Sequence, residues 1–172
     1  MKIQGAFFCP IYFNTSYSPC INKFRTMLEL LKYQSLLKKV NSSITNQEKG
    51  KYFEDLCEYL FSKIDGVKIA SRNISTNSEE IDIILLNSKT DESFKFLDDL
   101  ILVECKNWSS PVNSMNMSWF VSKLRKRNLK TGIFIATQGF TGDFINGKNG
   151  TGAIEVIKSA LTEGIRLILI SK

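Results

Sequence analysis

The hydrophobic positions of the chain recur with two different periods, and the period predicts the type of each element. In residues 22–39 and 114–128 apolar side chains return every three or four positions, which is typical of an amphipathic helix. A third helix is predicted from residue 46, because Thr45 and Glu48 form the pattern of a capping box in front of an apolar stripe. Residues 153–161 predict a fourth helix.

Shorter apolar runs between these helices predict five strands. They cover residues 67–72, 80–87, 100–106, 132–137 and 165–170. Polar or glycine-rich segments separate them, namely a turn at 73–78, a loop at 88–99 and a loop at 139–152.

The order of these elements predicts the fold class. Three consecutive strands are followed by two strand–helix–strand crossovers, which favour parallel pairing in the second half of the chain. We therefore expect an α/β domain with a central mixed β-sheet flanked by helices. Residues 46–172 form this domain, and residues 1–45 form an accessory segment with one helix and an irregular start.

Composition narrows the chemistry that this domain can perform. The 172 residues contain no histidine, so catalytic triads and histidine-ligated zinc sites are excluded. The net charge of +6 suits a polyanionic partner such as nucleic acid, although it also suits solubility alone.

The cysteines and the hydrophobic runs point to the cytoplasm. The four cysteines form no C-x-x-C pair, and Cys57 and Cys105 lie in apolar segments as small core residues. No apolar run reaches the roughly 20 residues of a membrane span, and the N-terminal apolar patch is interrupted by Pro10. We expect a cytoplasmic protein without membrane contact.

Charged residues break the apolar pattern of two predicted strands. Asp82 interrupts one strand, and Glu104 and Lys106 end the next. Side chains two apart in a strand point to the same face, so Glu104 and Lys106 project together. If the two strands pair as a hairpin, Asp82 lies beside Glu104, and Glu54 on the preceding helix adds a third carboxylate.

Converging carboxylates suit a hard divalent cation, and a nearby ammonium suits phosphate chemistry. Mg²⁺ or Mn²⁺ takes oxygen ligands and polarises a phosphoryl group, while Lys106 would stabilise charge that develops in the transition state. The alternative is structural. Glu104 and Lys106 would then form a salt bridge at a sheet edge, and Asp82 would begin a solvated strand.

Several motifs together resemble a known family. The chain resembles the Mrr-like branch of the restriction-endonuclease-like superfamily, the PD-(D/E)-x-K nucleases. The motifs that carry the resemblance are Gly50-x-x-Phe53-Glu54, Glu80-Ile81-Asp82, Val103-Glu104-Cys105-Lys106 and Thr131-Gly132-Ile133. The resemblance covers about residues 50–172. The pair Glu79-Glu80 departs from it, because many members have glycine or proline before the aspartate.

The resemblance implies a role for each matching residue. The metal ion, Mg²⁺ or Mn²⁺, would be bound by Asp82, Glu104 and the backbone carbonyl of Cys105. Lys106 would assist the attacking water and the transition state. Glu54 would serve the metal or its waters. Glu58, one helical turn further along, is the rival of Glu54.

The function implied is a metal-dependent DNA endonuclease with a restriction or defence role, acting on double-stranded DNA. We also expect a homodimer, since nicks on opposite strands need two active sites. One alternative is a structure-selective nuclease that resembles a junction resolvase. Another is a non-catalytic nucleic-acid-binding module on a nuclease fold.

A basic run and two tryptophans are further candidates for nucleic-acid contacts. The run consists of Lys123, Arg125, Lys126 and Arg127, and it either contacts phosphates or forms an ordinary solvated helix face. Trp108 and Trp119 either stack on bases or, as we favour here, pack in the core or at its rim.

Overall fold

The computed structural model describes residues 19–76, 79–142 and 152–171, with the backbone alone for residues 19–25. This part of the chain forms four helices and five strands. They are α1 (Pro19–Ser42), α2 (Asn46–Phe61), β1 (Val67–Ser75), β2 (Glu80–Asn87), β3 (Leu100–Lys106), α3 (Ser114–Lys126), β4 (Thr131–Ala136), α4 (Ala153–Thr162) and β5 (Arg166–Ser171).

The five strands form one mixed sheet in the order β1-β2-β3-β4-β5. The first three strands are antiparallel, whereas β3 pairs with β4 and β4 with β5 in parallel. This topology confirms the predicted fold class, including the parallel pairing in the second half. The strand β3 lies at the centre of the sheet, so a salt bridge at a sheet edge does not describe Glu104 and Lys106.

Helices cover both faces of the sheet and create two apolar layers. On one face, α3 and α4 pack over Leu102 and Phe134. On the other face, α2 packs its residues Cys57 and Phe61 over Val103 and its neighbours. Each strand therefore sends alternate side chains into different layers, and the two catalytic candidates on β3 share the layer of α3.

The first helix lies against the second and not against the sheet. Tyr59 of α2 donates a hydrogen bond from its hydroxyl to the carbonyl of Glu29 at 2.8 Å, and Lys63 forms an ion pair with the Glu29 side chain at 3.0 Å. The helix α1 is therefore attached to the rest of the molecule. The domain boundary at residue 45 stays a prediction.

Most element boundaries agree with the predicted ones within three residues. The first helix spans Pro19–Ser42 and is longer than predicted. Strand β1 continues into the predicted turn because Ile74 and Ser75 still pair with β2. The capping box is confirmed: Thr45 accepts from the Glu48 N–H, and the Glu48 carboxylate accepts from the Thr45 N–H. The predicted irregular start and most of the 139–152 loop lie outside the described residues.

The cysteines and the helix lengths are two further features of the described residues. Cys57 and Cys105 are buried, free thiols, as predicted. Within residues 19–76, 79–142 and 152–171, no helix combines the length and the apolar character that a membrane span requires.

Gly132 controls how closely α3 approaches the sheet. A Cβ atom at this position would lie 2.8 Å from Leu124 Cδ1 and 2.9 Å from the Phe120 ring. We predict that Gly132→Ala destabilises the fold by about 1–3 kcal/mol, because the core must shift to admit the methyl group. Urea unfolding measures this change.

Gly50 in α2 is the matched control for this substitution. A Cβ there meets no atom within 4 Å, so Gly50→Ala should stabilise the protein by about 0.5–1 kcal/mol through helix propensity. Equal effects of the two substitutions would contradict the close packing of α3 on β4.

Candidate active site

The site lies where β2 and β3 separate. Their backbone pairing runs from Leu86↔Leu100 to Ile83↔Val103, and one step further the register places Asp82 opposite Glu104. Instead of a further strand hydrogen bond, the Cys105 N–H donates to Asp82 Oδ2 at 2.7 Å. The hairpin expected from the sequence is confirmed, and a carboxylate takes the place of a backbone acceptor at its open end.

Glu104 is held by two lysines. Lys106 Nζ lies 2.8 Å from Glu104 Oε1, and Lys123 Nζ lies 2.7 Å from Glu104 Oε2. Lys106 also lies 3.8 Å from Asp82 Oδ2. Glu104 and Lys123 are both at most 5% exposed. A buried carboxylate or ammonium is tolerated only when an opposite charge lies beside it. The two lysines therefore offset the free-energy cost of burying the Glu104 carboxylate.

Burial acts in opposite directions on the pKa values of Asp82 and Lys106. Burial, and then the nearby Glu104, raise the pKa of Asp82 to about 6. Burial lowers the pKa of Lys106, but the carboxylates of Glu104 and Asp82 outweigh it and raise that pKa above its ordinary value. Lys106 is therefore a protonated donor at neutral pH, and Asp82 is a carboxylate whose charge needs a cation.

A third carboxylate, Glu54, lies on α2 and interacts electrostatically with Asp82. Burial followed by repulsion from Asp82 and Glu80 raises its pKa to about 7. The attraction of Arg72 and Lys106 counteracts this rise. Glu54 is thus electrostatically coupled to Asp82, although it does not line the cavity that contains Asp82 and Glu104.

The rival of Glu54 has a structural partner. Arg72 on β1 donates to both Glu58 and Asp55, the latter at 2.6 Å. This fork ties α2 to β1 and occupies the Glu58 carboxylate. Glu54, one turn earlier, is the glutamate whose pKa the Asp82 carboxylate raises.

A cavity of about 420 Å³ opens over the carboxylates. Asp82, Glu104, Lys106 and Lys123 lie in its wall; the other lining residues are Glu80, Trp108, Met115, Asn116, Trp119 and Phe134. Residues 115, 116, 119 and 123 follow a helical repeat, so one stripe of α3 faces the cavity while its neighbouring stripe packs in the core. Both tryptophans line this cavity and are partly exposed, so they lie at the rim of the core and not inside it.

The four residues of the basic run do not share one surface. Lys123 points inward to Glu104, Arg127 forms an ion pair with Glu79 at 2.9 Å, and exposed Arg125 forms one with Glu163 at 2.5 Å. Lys126 lies over the Trp119 ring, 5.6 Å from its centroid. The predicted phosphate contacts therefore have different environments, and Lys123 belongs to the carboxylate group instead.

The donor atoms in the cavity fit a small divalent cation. Asp82 and Glu104 supply hard oxygen ligands, and Mg²⁺ is commonly held by one or two carboxylates together with water and phosphate oxygens. Within the described residues, no three acidic, histidine or cysteine side chains gather into a metal-binding cluster. The fit is thus that of a two-carboxylate site, with Glu54 outside it.

The sequence did not predict the roles of two charged residues, Lys123, which was named only as part of the basic run, and Arg72. Lys123 had a weak signal, because it lies four positions after Trp119 and directly before the core residue Leu124. Arg72 had none, since its partners depend on how α2 lies across β1. Both positions are fixed by packing between elements.

Comparison with known proteins assigns the family. The model of the Mrr_cat restriction endonuclease family matches residues 45–165, well over half of the chain. The chain belongs to the Mrr_cat restriction endonuclease family. It therefore carries a nuclease-type domain of the kind that the sequence motifs resemble. No curated protein matches the chain.

A solved structure to which the chain is similar is SfsA from Pyrococcus furiosus in complex with Ca²⁺. It is 18% identical, covers 74% of this chain and has a TM-score of 0.41. The Mrr_cat chain spans 57% of the SfsA chain.

The raised pKa of Glu54 predicts that the metal-free protein loses stability against unfolding as the pH rises. Since the folded protein holds this proton more tightly than the unfolded chain, stability falls as pH rises from about 4.5 toward about 7. In EDTA, we expect Glu54→Gln to be more stable than the wild type by about 1 kcal/mol near pH 8, after allowance for solvent screening. Near pH 4 the difference should vanish.

Glu58→Gln provides the matched control on the same helix. It weakens the Arg72 ion pair, so it should lower stability near pH 8 where Glu54→Gln raises it. Urea unfolding across the pH range measures both. If Glu54→Gln lowered stability at high pH, the carboxylate would be stabilised in the fold and not strained.

Proposed function

We propose that this Mrr_cat protein is a metal-dependent DNA endonuclease that hydrolyses phosphodiester bonds, with a restriction or defence role. The observation that carries the proposal is the junction of Asp82, Glu104 and Lys106 in one cavity, with Lys106 Nζ 2.8 Å from Glu104 and 3.8 Å from Asp82. This is the combination of acidic ligands and ammonium that phosphodiester hydrolysis requires. Membership of a restriction endonuclease family supports it.

Asp82 and Glu104 would hold Mg²⁺ or Mn²⁺, with the backbone carbonyl of Cys105. Glu54, from the other face, would accept hydrogen bonds from the waters of the ion. When bound, a divalent ion polarises a phosphoryl oxygen and lowers the pKa of a water molecule. Restriction endonucleases generally use such ions, which agrees with the oxygen donors found here.

Lys106 would act as a donor in this reaction. Its raised pKa keeps the proton on Nζ, so it suits the stabilisation of negative charge on the phosphate and not proton abstraction. Lys123 holds the second oxygen of Glu104 and would orient that carboxylate. These two lysines also balance the buried negative charge before any ion enters.

The exposed cations would hold the DNA backbone. Lys126 carries no ion pair within the described residues, and Arg125 has an exposed partner. Both can turn toward phosphates at little cost. Arg127 is less available, because its partner Glu79 has only 9% of its side chain exposed.

The proposal extends to the organisation of the protein. Residues 46–172 would form the nuclease domain and residues 1–45 an accessory segment, with a homodimer supplying two active sites for double-stranded DNA. The free buried thiols of Cys57 and Cys105 suit the reducing cytoplasm.

Substitutions at the carboxylate and lysine test the proposed activity. Wild-type protein should nick or linearise supercoiled plasmid with Mg²⁺ or Mn²⁺ and not with EDTA. We expect Glu104→Gln and Lys106→Met each to lower the rate at least about 100-fold, because the first removes a ligand charge that holds the ion and the second removes a positive charge beside the phosphate. Glu104→Gln should also weaken Mn²⁺ binding measured by calorimetry, a readout that does not involve DNA.

Two lysine variants control this experiment. Lys106→Arg keeps the positive charge and should retain part of the activity that Lys106→Met loses. Lys95→Met removes a surface cation that pairs with Glu92 and should change nothing. Cleavage in EDTA, or a fully active Lys106→Met, would exclude this mechanism. DNA binding without Mn²⁺ binding would instead identify a non-catalytic module.

The environments of the basic residues predict unequal contributions to DNA affinity. Lys126→Ala should weaken binding and reduce the salt slope by about one, since Lys126 is exposed and forms no ion pair within the described residues. Arg127→Ala should act mainly on stability, because it leaves the Glu79 carboxylate without its partner. Fluorescence anisotropy at several salt concentrations, paired with thermal melts, separates the two effects. The reverse pattern would place the DNA on the Arg127 side.

A further inference from the structure

Both tryptophans of the chain stand at the mouth of the cavity. Trp108 follows β3 and is 41% exposed, and Trp119 lies on α3 and is 53% exposed. The sequence has no other tryptophan. Large aromatic side chains are normally buried for most of their surface, so two partly exposed rings beside the same carboxylates offer a contact surface for a ligand.

Each ring also carries a cation. Lys106 Nζ lies 5.6 Å from the centroid of Trp108, and Lys126 Nζ lies 5.6 Å from that of Trp119. The exposed fractions of the two rings leave part of each indole surface for a second partner. Aromatic faces flanked by positive charge are the combination by which proteins hold nucleic-acid strands, with bases on the rings and phosphates on the cations.

The faces of a base are available to a protein only when the base is unstacked. In a duplex each base is covered on both faces by its neighbours, so stacking on an indole requires single-stranded, mismatched or extruded nucleotides. The cavity of about 420 Å³ is within the roughly 300–1,000 Å³ typical of small-molecule sites, so it can admit one base. Its wall also holds Asp82 and Glu104, which places a stacked base next to the phosphate on which those residues act.

We propose that Trp108 and Trp119 form a stacking subsite for unpaired DNA bases beside the scissile phosphate. The protein then selects DNA in which the strand is single, mismatched or branched at the point of cleavage. This inference rests on the proposed function for the position of the scissile phosphate, but the binding of unpaired bases is independent of catalysis. Within the proposed endonuclease function, it narrows the substrate to DNA in which a base at the cleavage point is unpaired or extruded, as in the locally unwound regions of a supercoiled plasmid.

Intrinsic fluorescence tests the subsite directly, because the two tryptophans are the only ones in the chain. In EDTA, an oligothymidylate of about 12 nucleotides should quench the fluorescence as it binds. An abasic strand of the same length keeps the phosphates and removes the bases, so it should quench little. A perfectly paired duplex should behave like the abasic strand, and a duplex with a central mismatch like the oligothymidylate.

Variants assign the effect to the rings. Trp119→Ala should weaken oligothymidylate binding roughly tenfold, while Trp119→Phe should retain most of the affinity because it keeps an aromatic face. Phe96→Ala is the matched control, since Phe96 is 63% exposed and lies outside the cavity; it should leave the affinity unchanged. Trp108→Phe leaves Trp119 as the sole reporter and shows whether that ring is quenched.

The outcomes separate this inference from the proposed activity. Quenching that requires bases, in a protein that cleaves nothing with Mg²⁺ or Mn²⁺, would retain the subsite and remove the nuclease. Equal affinity for abasic and normal strands, or an unchanged affinity in Trp119→Ala, would overturn the subsite even if plasmid is cleaved. Tighter binding of an oligouridylate than of the oligothymidylate would overturn the assignment to DNA.

Discussion

The structure depends on the burial of Glu104 at the centre of the sheet. A carboxylate that is 5% exposed needs compensating charge, and Lys106 and Lys123 supply it from a strand and from a helix. To deliver Lys123, helix α3 must lie close to the sheet, which Gly132 permits. The same position of α3 therefore both packs the core and balances the charge of the site.

The same constraint explains how much of the site could be predicted from the sequence. Strand alternation predicts that Glu104 and Lys106 lie on the same face of the sheet. The antiparallel register predicts that Asp82 lies beside Glu104. Both rules are local, so they hold before the fold is known. The fold class was equally accessible, because strand–helix–strand order constrains sheet topology.

What could not be predicted depends on how distant elements pack. A lysine near the end of a helix is normally solvated, and only the close approach of α3 buries Lys123. Trp119 is exposed for the same reason, since the stripe that brings Lys123 to Glu104 turns Trp119 toward the cavity. The ion pairs of Arg125 and Arg127 with Glu163 and Glu79 likewise join residues far apart in sequence.

The hydrogen bond from the Cys105 N–H to Asp82 gives that side chain two separate duties. As an acceptor it closes the open end of the β2–β3 hairpin, and as an anion it contributes charge to the cavity. Asparagine keeps an acceptor oxygen, whereas alanine removes both duties at once. An inactive alanine variant would therefore leave shape and charge confounded, and only the amide isolates what the negative charge contributes.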